Sequence, residues 1–133
     1  MADWGQFETL RPDQAGATSL VAGASRGIGR SIAIGLAAAG ASVVGLARSA
    51  DALDDLGDEI RAGGGEFLPL VADIADLEAT AAAVAAAWRW KGGLDSLVNS
   101  AGATNRSSAL EISPAEWDAL FDVNLRGAFF LTR

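Results

Sequence analysis

The chain has 133 residues, half of them apolar, enough for one domain with a buried core and too few for two. Seventeen Asp and Glu against ten Lys and Arg give a net charge of -7, which argues against the concentrated positive face of a nucleic-acid binder. Cysteine, histidine and tyrosine are all absent, so disulfides, thiolate nucleophiles, Cys/His metal sites and imidazole acid–base chemistry are excluded together.

Residues 1–17 form a polar lead-in, with Asp3, Gln6, Glu8, Arg11 and Asp13 scattered among apolar positions. They lack the basic start and apolar centre of a signal peptide, so a cytoplasmic location is expected. The longest apolar run, Ala79 to Trp88, is about half of the roughly 20 residues that span a bilayer, so no membrane segment is expected.

From residue 18 onward the pattern is that of one domain. Ser19 to Ala22 predicts a buried strand that meets a glycine cluster, and Ile28, Ile32, Leu36 and Ala39 then mark a helix ended by Gly40. Ser42 to Leu46 predicts a second strand, followed by a helix on Leu53, Leu56 and Ile60 that closes at Gly63-Gly64-Gly65. A third strand is expected over Phe67 to Ala72, an alanine-rich helix from Leu77 to Trp88, and a fourth strand from Leu94 to Asn99. Such alternation predicts an α/β fold, a doubly wound parallel sheet with right-handed crossovers and about four strands present. At the end, Ser113 caps a helix with Pro114 in its first turn and Glu116 reaching back, and the apolar run continues through Phe129, Phe130 and Leu131.

Gly23, Gly27 and Gly29 lie between the first strand and the first helix. Glycines there permit a sharp turn and close approach of a pyrophosphate to the amides and positive dipole of the helix start, although a tight turn without a ligand gives the same pattern. A nucleoside-triphosphate loop is excluded, because its leading glycine would be Ala24 and its lysine is Arg30.

Four motifs in order resemble the short-chain dehydrogenase/reductase family over almost the whole chain. They are Gly23-Ala24-Ser25-Arg26-Gly27-Ile28-Gly29, Asp73-Ile74 after the third strand, Asn99-Ser100-Ala101-Gly102 after the fourth, and Asp122-Val123-Asn124-Leu125-Arg126-Gly127. Ala22 stands where the family usually has Thr, and Ser100 where it has a second Asn. The resemblance implies a Rossmann-type sheet with a nicotinamide dinucleotide at the carboxyl ends of its strands. It assigns Gly23, Ser25, Arg26, Gly27, Ile28 and Gly29 to cofactor binding, with Asp73 and Ile74 at the adenine and Asn99, Ala101 and Gly102 shaping the pocket. Asn124 matches the family's active-site asparagine, which holds a water in the proton relay. Taken singly, Asp73 reads equally as a helix cap and Asn124 as a helix-interior residue satisfying backbone at a kink.

At the end of the second strand an acidic residue would bond ribose hydroxyls and repel a 2′-phosphate. That position is Ala47, followed by Arg48, and Arg26 in the glycine turn can approach the same phosphate, so NADP is favoured over NAD unless both arginines are simply solvated.

The family's catalytic tyrosine and lysine have no counterparts: the chain has no tyrosine, and its one lysine, Lys91, falls in a loop before the fourth strand. The expected reading is therefore part of an NADP-dependent oxidoreductase of ketones or secondary alcohols, a dimer or tetramer when complete and inactive as this chain alone. A non-catalytic nucleotide-binding or pairing module is the alternative. Phe129, Phe130 and Leu131 are expected to form an exposed apolar patch that promotes self-association.

Overall fold

A computed structural model describes residues 13–133, so the first twelve residues of the polar lead-in lie outside the described residues. Strand β1 (Thr18–Ala22) is buried at every position, as expected for a strand covered on both faces. It is followed by α1 (Gly27–Ala38), β2 (Ser42–Ala47), α2 (Ala50–Ala62), β3 (Glu66–Val71), α3 (Leu77–Lys91) and β4 (Ser96–Asn99). All pairings are parallel and the spatial order is β3-β2-β1-β4, with Leu20 opposite both Val44 and Leu97.

The chain first winds outward from β1 through β2 to β3 and then crosses back to place β4 on the other side of β1. Side chains alternate accordingly. Val21 and Val43 face α1 and α2, packing with Ala33, Leu53, Leu56, Ile60 and Phe67. Leu20, Val44 and Leu46 face the opposite layer, where Ala83 and Ala87 of α3 meet Leu131 near the end of the chain. Three helices begin at side-chain caps: Ser49 accepts from the Ala52 amide, Asp76 from the Ala79 amide, and Ser113 from the Glu116 amide. Among the described residues no helix is long and apolar enough to cross a membrane.

Several boundaries differ from expectation, each for a side-chain reason. β4 starts at Ser96 because the Asp95 carboxylate takes the Thr18 amide at 2.8 Å. β3 starts at Glu66, which accepts from the Ser42 hydroxyl at 2.6 Å and the Lys91 ammonium at 2.7 Å, and it ends at Val71 rather than Ala72. These two partners hold the Glu66 carboxyl below its ordinary pKa. Lys91 is thus the last residue of α3, not part of a loop, and the helix stops at Gly92, whose φ of 81° is left-handed. Ile28 does not join the core stripe of α1: it is 75% exposed, and Ala33 with Gly29 forms the buried face instead.

The final helix is not continuous. Helix α4 (Pro114–Phe121) passes into a π-helical turn, Asp122–Gly127, before α5 (Ala128–Thr132). Two long-range contacts account for the extra residue. Gly127 lies against the Ile74 carbonyl, where a Cβ would overlap, and Asn124 reaches the backbone of Ala103. Phe129 and Phe130 are exposed as expected, whereas Leu131 is buried in the second core layer and does not belong to that patch.

Candidate functional site

A cleft of about 450 Å³ opens at the carboxyl ends of the strands, where β1 and β4 carry the chain to opposite faces of the sheet. Its floor is made of backbone. Gly23 has φ of 78°, and a Cβ there would come within 2.6 Å of the Ser100 carbonyl and the Ala101 nitrogen. The first and fourth strand ends can touch only through a residue without a side chain.

Gly29, in the first turn of α1, is packed so closely on the Gly23 carbonyl that a Cβ would overlap it. Gly27 has φ of 56° and faces open space on the cleft wall, with nothing within 4 Å of an added Cβ. The three glycines thus serve three purposes: strand contact, helix docking and room for a ligand.

Helix α1 has no side-chain cap at Arg26 and no acidic residue in its first turn. Its leading amides and positive dipole therefore face the cleft free to receive an anion.

Ten of the residues assigned from sequence line this cleft: Gly23, Ser25, Arg26, Gly27, Ile28, Arg48, Asp73, Ile74, Ala101 and Gly102. Exposure of Ile28 is then the exposure of an apolar wall. Arg48 follows directly on β2, and its Nη1 lies 3.8 Å from Asp73 Oδ2. Asp73 is held on both sides: its Oδ1 accepts from the Ala75 amide at 3.0 Å, while its carbonyl accepts from the Asp76 amide at 2.9 Å.

Gly29, Asn99 and Asn124 are not among the residues lining the cleft. Asn99 accepts from the Ala101 amide at 3.1 Å and so sets the turn leaving β4. Asn124 clamps Ala103 at two points, its Oδ1 accepting from the amide at 2.8 Å and its Nδ2 donating to the carbonyl at 2.7 Å. The kink reading of Asn124 is half right: the helix is distorted there, but the backbone it satisfies belongs to the loop after β4.

Sequence reasoning did not assign Leu46, Ala47, Ala72, Ser100, Ala103 or Val123 to the wall. Most are strand-end or loop positions, and their adjacency to the assigned residues was the available signal.

Next to the cleft lies a second cavity of about 440 Å³, which shares Arg48, Asp73, Ala103 and Val123 with it and adds Asn105, Glu116 and Asp122. Glu116 is held at a pKa of about 2, chiefly by the Ser113 amide and then by the Ser113 hydroxyl and Asn105.

Residues 17–133 match the short chain dehydrogenase family. Versicolorin reductase 1 of Aspergillus parasiticus is 40% identical over 119 residues, which cover 89% of this chain and 45% of that protein. Gluconate 5-dehydrogenase of Gluconobacter oxydans is 41% identical over 116 residues, 87% of this chain and 45% of the relative. The solved structure of L-sorbose reductase from Gluconobacter frateurii, complexed with NADPH and L-sorbose, superposes with a TM-score of 0.88 at 30% identity, covering 93% of this chain and 48% of that one. The chain thus spans about half the length of these relatives. With the four-stranded parallel sheet and the glycine-floored cleft, this match shows that the chain belongs to the short-chain dehydrogenase family.

Proposed function

We propose that this chain is the dinucleotide-binding portion of an NADP-dependent oxidoreductase that moves hydride between the cofactor and a ketone or secondary alcohol. The carrying observation is the charge at the end of β2. Ala47, aligned with the position where an acidic residue would repel a 2′-phosphate, lines the cleft together with Arg26 and Arg48. The NADPH complex of L-sorbose reductase supports this choice.

The residues fit a dinucleotide. Gly27 leaves space beside the uncapped start of α1 for a pyrophosphate, and Asp73 and Ile74, which the family resemblance assigns to the adenine, line the same cleft. When bound, the nicotinamide supplies the hydride. This chain's part is to hold and orient it, with Asn99 and Asn124 fixing the loop after β4 that borders the cleft.

Proton transfer needs groups from elsewhere. The chain has no tyrosine, and Lys91 is paired with Glu66, the first residue of β3, at the end of the sheet away from the cleft. The chain alone therefore binds dinucleotide without turnover, and small-molecule carbonyl substrate and oligomeric partners engage the complete enzyme.

Titration of the purified protein with NADPH and NADH, followed by nicotinamide fluorescence, tests the reading. Saturable binding that favours NADPH and loses that preference in Arg48→Asp is expected. A folded protein that binds neither dinucleotide, or that prefers NADH, refutes it.

A further inference from the structure

Arg48 and Asp73 form an ion pair at the boundary between the main cleft and its neighbouring cavity, and both residues line both spaces. The two partners are held differently. Asp73 is fixed through the Ala75 and Asp76 amides and the Thr80 hydroxyl, which donates to its carbonyl. Arg48 has a side chain 72% exposed and makes no side-chain hydrogen bond among the described residues. A fixed carboxylate therefore holds a movable guanidinium across the cleft mouth.

Resting on the NADP reading above, we propose that Asp73 determines cofactor specificity through Arg48, acting as an internal anion that a 2′-phosphate must displace. A dinucleotide with a free 2′-hydroxyl leaves the pair intact. One bearing a 2′-phosphate must draw Arg48 away from Asp73 and bring its own negative charge near that carboxylate. The pair thus narrows the preference for NADPH that Arg48 confers, and Asp73 is a specificity-determining residue for a feature of the ligand beyond the adenine.

The size of the effect follows from exposure. With side chains 72% and 41% exposed at 3.8 Å, the pair lies in high dielectric, where such interactions amount to about 1.4-fold to fivefold in an equilibrium constant at low salt. Near 1 M salt the screening length of about 3 Å is shorter than the separation, so the effect fades.

The test is a double-mutant cycle on the intact protein, reading the ratio of the NADH to the NADPH dissociation constant, in which any change at the adenine cancels. Asp73→Asn keeps the shape and the acceptor for the Ala75 amide. It is expected to raise the ratio by about 1.4-fold to fivefold at low salt. Arg48→Gln is expected to lower it, and Asp73→Asn made on that background to raise it much less. Thermal unfolding checks that each variant is folded.

If Arg48→Gln lowers the ratio but Asp73→Asn leaves it unchanged, or raises it equally on both backgrounds, the coupling is overturned while the NADP reading stands. If Arg48→Gln changes nothing, both fall.

Discussion

Alanine placed in turn at Gly23, Gly27 and Gly29 separates the three purposes of the glycine turn. At Gly27 the left-handed φ costs a residue with a Cβ about 1–2 kcal/mol, and the lost chain entropy of glycine returns about 0.4–1 kcal/mol. With no atom within 4 Å of the new methyl, the net loss is about 0–1.6 kcal/mol. Gly23→Ala has the same backbone cost, and its methyl also meets Ser100 and Ala101 backbone at 2.6 Å. Overpacking against atoms that cannot rotate away adds about 1–3 kcal/mol, for a total of about 1–4.6 kcal/mol. Gly29→Ala gains up to about 1 kcal/mol of helix propensity but overlaps the Gly23 carbonyl, leaving a loss of about 0–3 kcal/mol. Urea unfolding should therefore find Gly23→Ala the most damaging of the three, since it alone carries both costs. NADPH titration should follow a different order, with Gly27→Ala losing affinity out of proportion to its stability because the methyl enters open cleft space. Equal destabilisation by Gly23→Ala and Gly27→Ala would refute the assignment of a backbone contact to one and ligand room to the other.

Two further outcomes are expected. Asn124→Ala removes both bonds to Ala103, at about 1 kcal/mol each, and should weaken dinucleotide binding and speed amide exchange at Ala103. Asn124→Asp keeps the acceptor for the amide but turns an anion toward the carbonyl, so it should resemble alanine rather than the parent; unchanged exchange at Ala103 in both variants would count against the clamp. Glu116, with its folded pKa lowered to about 2, contributes stability that is present above the ordinary value of 4.5 and lost as pH falls toward 2. Glu116→Gln should therefore be less stable than the parent at neutral pH, with the difference closing across that window. Since Glu66 acts in the same direction, the quantity to follow by unfolding at each pH is the difference between parent and variant, and a flat difference would refute the cap.

The fold was legible because β1 and β2 are short apolar runs and the turns that follow β1, α1, α2 and α3 carry glycine. Ser19 to Ala22 followed by Gly23, and Ile60 followed by Gly63, leave little freedom in where elements change. Boundaries moved where a distant side chain entered the ladder. Asp95 takes the first amide of β1 and Lys91 reaches Glu66 across the sheet, and neither partnership has a signal in local sequence. Ile28 fits helical spacing in either role, and only its position at the sheet's carboxyl edge makes it cleft wall rather than core. Periodicity gave no sign of the π-helical turn, because Val123, Leu125 and Leu131 suit a regular helix as well. Its extra residue is imposed from outside the helix, by Ile74 and Ala103.

Those two contacts bear on how the cleft keeps its shape. The layer of α1 and α2 and the layer of α3 and α5 lie on opposite faces of the sheet, so side-chain packing within either layer does not set the distance across the cleft. Gly23 on Ser100 and Ala101 joins the ends of β1 and β4, while Gly127 on the Ile74 carbonyl and Asn124 on Ala103 fix the far side of the cleft internally. Each depends on a missing side chain or on an amide that matches one peptide unit. Hydrophobic burial can tolerate exchange among similar side chains, but these contacts cannot, since a single methyl at Gly23 or Gly127 meets main chain. The π-helical turn supplies the register needed for two of them together, bringing Asn124 and Gly127 to their partners while Leu131 stays in the core. Straightening that turn into regular helix would rotate one of the three away from its contact, so the distortion is the geometric condition for holding the far wall of the cleft.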